Sequence, residues 1–341
     1  MPRLGILTSG GDCPGLNAVI RSAHIRISRE YTGTLVGFRN GWRGVLENNT
    51  VEITEDLTRG IAGAGGTILG TSRTNPTEGD TPLERVRGAL AANGVDGLIA
   101  IGGEGSLSAA HALSSAGINV VGVPKTIDND LNGTDYSFGF DTAVQIATDA
   151  MDRLLTTGAS HARCMIAEVM GRNSGWIALH SGIATGAHAV LIPEQPVSLD
   201  QIIAWVESAR DRGQAPLVVV AEGFPLDGDG PTHPRGNEDS GRPRLGGIGE
   251  HLAQIVEART GIETRATTLG HIQRGGTPTA YDRVLAARFG AAAVDSAMDA
   301  QWGRMVALRG EEIVTTGLAE AIGTVKGISA ERFQRAAVCF G

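Results

Sequence analysis

Lysine is nearly absent from this 341-residue chain, where Lys125 and Lys326 stand against 27 arginines. A GC-rich genome would give the same bias. Even so, a lysine inside a Gly- and Asp-rich loop becomes worth following. A basic excess is missing too: 29 Lys and Arg face 37 Asp and Glu, for a formal charge of −8. That argues against a general nucleic-acid binder, which carries a basic face, and leaves local basic pockets open. No apolar run approaches the ~20 residues that cross a bilayer, so no membrane partner is expected. No signal-peptide pattern precedes the first strand-like stretch. The three cysteines, Cys13, Cys164 and Cys339, are odd in number, far apart, and form neither a CxxC nor a zinc pattern. A reduced, cytoplasmic chain is the expectation.

What is abundant is glycine, 49 residues in all, about twice the usual ~7% share. It is not periodic, which excludes collagen. The chain is also too rich in Val, Ile, Leu and Ala for disorder. The length suggests about two domains. Short β-branched runs alternate with amphipathic stretches: strands at 4–9, 34–38, 96–103, 118–124, 162–171, 189–194, 216–223 and 266–272. Helices are expected at 16–30, 104–115, 141–156, 176–185, 199–212, 248–259 and 280–299, with Asp141 as the N-cap of its helix. This βαβα rhythm implies parallel sheets covered on both faces, in two doubly wound α/β halves. Ligands in such folds bind at loops leaving the carboxyl ends of strands. The segment 225–247, rich in Gly, Pro, Asp and Asn, reads as a long surface loop or insertion.

Three strand-to-helix loops carry chemistry. The first is Ser9-Gly10-Gly11-Asp12-Cys13-Pro14-Gly15. Adjacent glycines let the backbone approach a ligand, and their amides with a helix N-terminus favour an anion. An ordinary glycine turn would look the same. The loop is neither G-x-G-x-x-G nor a Walker loop, which weakens dehydrogenase and P-loop readings. The second is Gly102-Gly103-Glu104-Gly105-Ser106, where Glu104 either offsets the helix dipole or organises Mg²⁺ beside a polyphosphate. The third is Lys125-Thr126-Ile127-Asp128-Asn129-Asp130, with two carboxylates flanking an amide next to one of the two lysines. Asx-turns place Asp and Asn in loops routinely. One of these Asp residues could equally accept a proton from a hydroxyl. Arginines supply positive charge: Arg73, Arg163, Arg172 after Met170-Gly171, Arg265, and Arg274 close to His271. Most single arginines are solvated surface charges. Several beside glycines at strand ends suit bidentate phosphate binding. Glu222 ends a strand, where it either caps that end or accepts sugar hydroxyls. Cys13 has no neighbour that activates it and reads as a buried filler.

The ordered set TSGGDCPGLNAVIR (8–21), IGGEGS (101–106), PKTIDND (124–130), EVMGR (168–172), ETRATTLGHIQRGG (263–276) and PTAYDRVLA (278–286) strongly resembles the 6-phosphofructokinases, and is similar to their actinobacterial branch. The resemblance covers almost the whole chain. It implies two doubly wound α/β/α domains with the active site in the cleft between them. Residues 1–138 with about 273–325 would form the phosphate-donor domain, and 139–272 with about 326–341 the sugar-phosphate domain. It implies transfer of the phosphate of ATP, with Mg²⁺, to the 1-hydroxyl of fructose 6-phosphate. Asp128 would be the base, with Thr126 and Asp130 shaping its loop. Gly11 would offer its amide to the moving phosphate and Arg172 would stabilise its charge. Glu104 would organise Mg²⁺, and Gly10, Arg73, Gly103, Gly105, Ser106 and Lys125 would contact the donor. Met170, Gly171, Glu222, His271 and Arg274 would contact the sugar phosphate in the same subunit, and Arg163 and Arg265 would reach it from a neighbouring subunit. A homo-oligomer, tetramer or dimer, follows.

The donor rests on two positions. Pyrophosphate-using relatives usually carry Asp where this chain has Gly105, paired with a lysine at position 125; here the signature is mixed. Gly105 as the steric gate gives ATP as the donor, with a pyrophosphate-dependent phosphotransferase, or a kinase for another phosphorylated acceptor, as alternatives. Well-known bacterial members bind ADP or phosphoenolpyruvate between subunits through arginines. Arg21 matches one of these, but the other positions hold Glu55, Ala64 and Leu155, so weak or absent regulation is expected.

Overall fold

The computed structural model describes residues 1–80, 82–226 and 245–340. Most of the 225–247 segment therefore lies outside the described residues. The chain divides into two compact units. The first comprises residues 1–127, 131–142 and 274–325, the second 128–130, 143–273 and 326–341.

The first unit begins with β1 (Arg3–Thr8), β2 (Thr34–Phe38), β3 (Thr50–Ile53), β4 (Gly97–Gly102) and β5 (Val120–Pro124). The second unit holds β6 (Cys164–Val169), β7 (Ala189–Leu191), β8 (Leu217–Ala221) and β9 (Thr264–Thr268). The chain then returns to the first unit with β10 (Arg304–Arg309) and β11 (Glu312–Gly317). The first sheet is seven-stranded in the order β11-β10-β5-β4-β1-β2-β3. Its five inner strands run parallel, while β3 and β11 close the edges antiparallel. The second sheet, β7-β8-β6-β9, is entirely parallel.

The inner strands are continuous hydrophobic runs because helices cover both faces. β4, GLIAIG, and β5, VVGVP, are buried at every position, as are all six residues of β6. One core joins Leu7, Phe38, Trp42, Leu98, Leu107 and Leu318; a second joins Ile166, Leu191, Val220, Leu252 and Val256. Cys13 is fully buried, and its Sγ donates to the Phe138 carbonyl at 3.7 Å. Burial pushes its thiol up to about 12, so it is the inert filler expected.

Two helix starts are capped from afar. The helix Phe140–His161 is longer than the 141–156 expected, and Asp141 lies inside its first turn instead of at its N-cap. The Asp141 carboxylate accepts from Thr279 Oγ1 at 2.6 Å. The helix start is served by Asp282, which accepts from Thr142 N at 2.8 Å and Thr142 Oγ1 at 2.5 Å. Burial raises the Asp282 carboxyl to about 6 against these lowering hydrogen bonds. A cap from 140 residues away cannot be read from local spacing. In the second unit Glu168, at 1% exposure, accepts from Gly247 N at 3.1 Å and Gly249 N at 2.9 Å, capping the helix Ile248–Thr260. Glu168→Ala strands these amides in a dry site. We expect stability to fall by about 3 kcal/mol in urea melts, with Glu168→Gln losing less because one acceptor remains.

Candidate active site

β1 lies between β4 and β2, and β5 lies on the other side of β4. The sheet therefore reverses its order of growth at β1, and the loops leaving β1, β4 and β5 stand side by side. Such a switch point opens a crevice at the carboxyl ends of strands. Backbone hydrogen bonds tie the loops together: Ser9 N to Ile101 O at 2.9 Å, Lys125 N to Gly102 O at 3.0 Å, and Gly10 N to Ser72 O at 2.9 Å. The last bond brings the segment carrying Arg73 beside Gly10. Thr71 Oγ1 adds a 2.6 Å bond to Gly10 O.

Lys125 is only 4% exposed, and its ammonium donates to the Gly11 carbonyl. A Cβ built on Gly10 would lie 3.4 Å from Ser106 Oγ and 3.6 Å from Lys125 Nζ. Gly10, Gly11, Ser106 and Lys125 thus form one cluster, which nothing short of tertiary pairing could assemble from three loops. Arg274 belongs to it: its Nη1 donates to Asp12 O at 3.3 Å, and a Cβ on Gly11 would meet that guanidinium at 2.8 Å. Ser137 Oγ donates to Thr126 O at 2.8 Å, fixing the start of the Asp-bearing loop. A buried ammonium, a guanidinium, paired glycines and the N-terminus of the helix Glu104–Ser115 stand together, a set of donors whose chemistry suits an anion.

Gly103, Glu104 and Gly105 sit at that helix start. Glu104 and Gly105 are exposed, and a Cβ at Gly105 would meet no atom within 4 Å. Its backbone does not require glycine either, since its φ is not positive. Glycine inside a first turn costs roughly 1 kcal/mol against alanine. Neither packing nor backbone therefore requires glycine at position 105. Among the described residues no group of three or more acidic, His or Cys side chains could hold a metal. A lone exposed carboxylate at Glu104 still fits Mg²⁺, which is commonly held by one or two carboxylates with substrate phosphates and waters.

In the second unit the carboxyl ends of β6, β8 and β9 converge. Met170, Gly171 and Arg172 follow β6; Glu222 follows β8, with its N donating to Val169 O at 2.9 Å, and Gly223 N reaches Gly171 O at 3.1 Å. After β9 the chain forms a 3₁₀ turn, Gly270–Arg274, so His271 is exposed on a turn beyond the strand expected at 266–272. Leu269 N bonds to Glu168 O at 2.9 Å, and Gln273 Oε1 accepts from Met170 N at 3.4 Å, which bring this turn beside β6. Asp128 joins the group through its carbonyl, which accepts from Ser174 Oγ at 3.1 Å. Asp130 follows in the same loop.

Arg163 and Arg265 are not brought to this cluster. They lie at the amino ends of β6 and β9, roughly five strand residues or about 16 Å away. Both pair with Glu263, Arg163 through Nε at 2.9 Å, and Arg163 holds that carboxyl below its usual range. The residues that sequence reading missed are supports: Ser72, Ser137, Ser174 and Asp282. Their only signal in the sequence was being small or polar, which many other positions of the chain share.

The described chain contains no helix long and apolar enough to cross a membrane. A family model described as phosphofructokinase matches residues 3–297. The chain is 54% identical over 340 residues to a pyrophosphate–fructose 6-phosphate 1-phosphotransferase of Amycolatopsis methanolica, covering 99% of this chain and 100% of that one. It is 50% identical over 336 residues to an ATP-dependent 6-phosphofructokinase 3 of Streptomyces coelicolor, covering 98% of each. A crystal structure of Pichia pastoris phosphofructokinase in the T-state superposes with a TM-score of 0.83 at 31% identity, over 94% of this chain and 35% of that longer one.

Proposed function

The chain belongs to the phosphofructokinase family, and from that premise we propose that it transfers the γ-phosphoryl group of ATP to the 1-hydroxyl of fructose 6-phosphate. The observation that carries the donor assignment is the open space at Gly105. A carboxylate there would fill room beside the donor and repel its phosphates.

Phosphoryl transfer asks a protein for positioning and charge stabilisation. Asp128 accepts the proton of the attacking hydroxyl; an aspartate is ordinarily ionised at neutral pH. Thr126 and Asp130 hold the loop that presents it. The Gly11 amide and Arg172 stabilise charge on the transferring group. Gly10, Gly103, Ser106, Lys125 and Arg73 cradle the donor phosphates. Glu104 would hold Mg²⁺ with the donor, and Mg²⁺ would neutralise charge on the phosphates. Met170, Gly171, Glu222, His271 and Arg274 orient the sugar phosphate. Arg163 and Arg265, remote from the same-chain cluster, serve the site of a neighbouring subunit in a homo-oligomer.

A second reading has its own support. Lys125 is retained, and relatives at 52–54% identity are named as pyrophosphate-dependent. The test is product formation from fructose 6-phosphate and Mg²⁺, with ATP and with pyrophosphate in parallel. A large ATP preference is expected. A pyrophosphate preference overturns the donor and leaves Asp128 untouched; no product with either donor shifts the acceptor.

Regulation by ADP or phosphoenolpyruvate is expected to be weak or absent. Leu155, at a position where regulated relatives carry a cation, lines a cavity of about 850 Å³ with His188, Arg210, Gln214 and Glu263. His188 is pushed below its ordinary range by burial, accepts from Leu217 N at 3.0 Å, and is neutral at pH 7. Glu55, Ala64 and Leu155 offer no cation to an anionic effector at the positions where the regulated relatives carry arginines. Fructose 6-phosphate saturation curves are expected to superpose with and without ADP. A sigmoidal-to-hyperbolic change on adding ADP would refute this.

A further inference from the structure

Lys326 is the second of the chain's two lysines, and the cluster around Lys125 does not use it. It reaches the loop that carries the proposed base. Asn129, between Asp128 and Asp130, is 3% exposed and has φ +50°. Left-handed backbone is uncommon outside glycine, and asparagine is among the few residues that adopt it; which of its conformations persists is decided by the surroundings that hold it. Asn129 Oδ1 accepts from Lys326 Nζ at 3.0 Å. Lys326 N donates to Asp130 O at 2.8 Å, and Ser174 Oγ donates to Asp128 O. Each of the three loop residues is thus held by at least one contact from distant sequence.

Lys326 is itself anchored. Its carbonyl accepts from Trp176 Nε1 at 2.7 Å, and its ammonium stands 5.9 Å from the centre of the Trp176 ring. Glu194 locks the same region by accepting from Gly175 N at 3.0 Å and Ile328 N at 2.9 Å. A hydrogen bond from an ammonium is stronger than a neutral one. The Lys326–Asn129 hydrogen bond therefore links the C-terminal segment to the residue that directly follows Asp128 in the loop.

We propose that Lys326 is a positioning residue for the transfer, fixing Asn129 in its left-handed conformation and so aiming the Asp128 carboxylate at the acceptor hydroxyl. This rests on Asp128 being the base. A displacement near 1 Å at a reacting group can cost 10²-fold, so a loosened loop should slow the chemistry more than it weakens binding. A plain structural clamp would lower stability and leave kcat alone.

The test is steady-state kinetics on the full chain with Lys326→Met, Lys326→Arg, Asn129→Gly, the Met/Gly double variant and Asp128→Asn. Glycine adopts φ +50° freely, so Asn129→Gly removes the contact without adding strain and serves even if Lys326→Met does not fold. We expect Lys326→Met and Asn129→Gly each to lower kcat about ten- to fiftyfold, with KM for fructose 6-phosphate within twofold. Lys326→Arg should recover most of kcat, and the double variant should be no worse than the weaker single. Single variants with kcat within twofold of the unmodified chain, or losses that multiply in the double, overturn the proposal. Full turnover by Asp128→Asn sinks the reading beneath it. Lost turnover there with unchanged Lys326→Met and Asn129→Gly sinks the Lys326 role alone.

Discussion

Asp128→Asn lowers kcat about 10²–10⁴-fold, the usual contribution of a positioned general base. Fructose 6-phosphate continues to bind, because the amide keeps the size of the carboxylate and the contacts assigned to Glu222, Arg172 and His271 are untouched. The expected signature is a fall in kcat with little change in substrate dissociation, read by steady-state kinetics beside equilibrium binding. The Asp128 carbonyl is fixed by Ser174 Oγ at 3.1 Å, so the backbone stays in place when the side chain changes. Retained turnover would move the base elsewhere in the loop, with Asp130 the first alternative. A variant that neither binds nor turns over would mean that Asp128 supports the acceptor pocket more than the chemistry.

Gly105→Asp lowers kcat/KM for ATP about 10²-fold, with a much smaller effect for pyrophosphate. A hundredfold loss corresponds to about 2.7 kcal/mol, a reasonable size for a carboxylate placed against donor phosphates. The substitution does not harm folding: nothing lies within 4 Å of a Cβ at this position. An acidic residue in the first turn of the helix Glu104–Ser115 also offsets its dipole. A melting temperature equal to or above that of the unmodified chain, together with lost ATP turnover, isolates the donor effect. ATP turnover that survived intact would end the idea of Gly105 as a gate, and Lys125 would become the residue to vary next.

The legible part of the molecule was local. Leu16–Glu30, Glu104–Ser115 and Trp176–Thr185 form as helices at their expected bounds, and Thr34–Phe38 as a strand. Their periodicity and flanking glycines act within a few residues. The hairpin of β10 and β11 escaped, because RMVALR and EIVTTG follow a long helix and interrupt the βαβα rhythm. The antiparallel edge strand β3 escaped as well, being only four residues long and poorly buried. Asp141 looked like an N-cap by residue type. The helix begins one residue earlier, however, and Asp282 takes that role from far along the chain.

The sequence by itself determined the α/β class, the order of the glycine-, aspartate- and arginine-bearing loops, and the family to which they belong. Those are properties of residue type and short spacing. Tertiary structure alone decided which loops meet. β1 pairs with β4 and β4 with β5, so three loops spread over more than a hundred residues share one switch point. Lys125 turns inward onto Gly11 across 114 positions, and Lys326 reaches Asn129 across 197. Strand pairing and the packing of two cores set those distances. No periodicity encodes them, because the energy that fixes a long-range contact comes from burying the elements on either side of it.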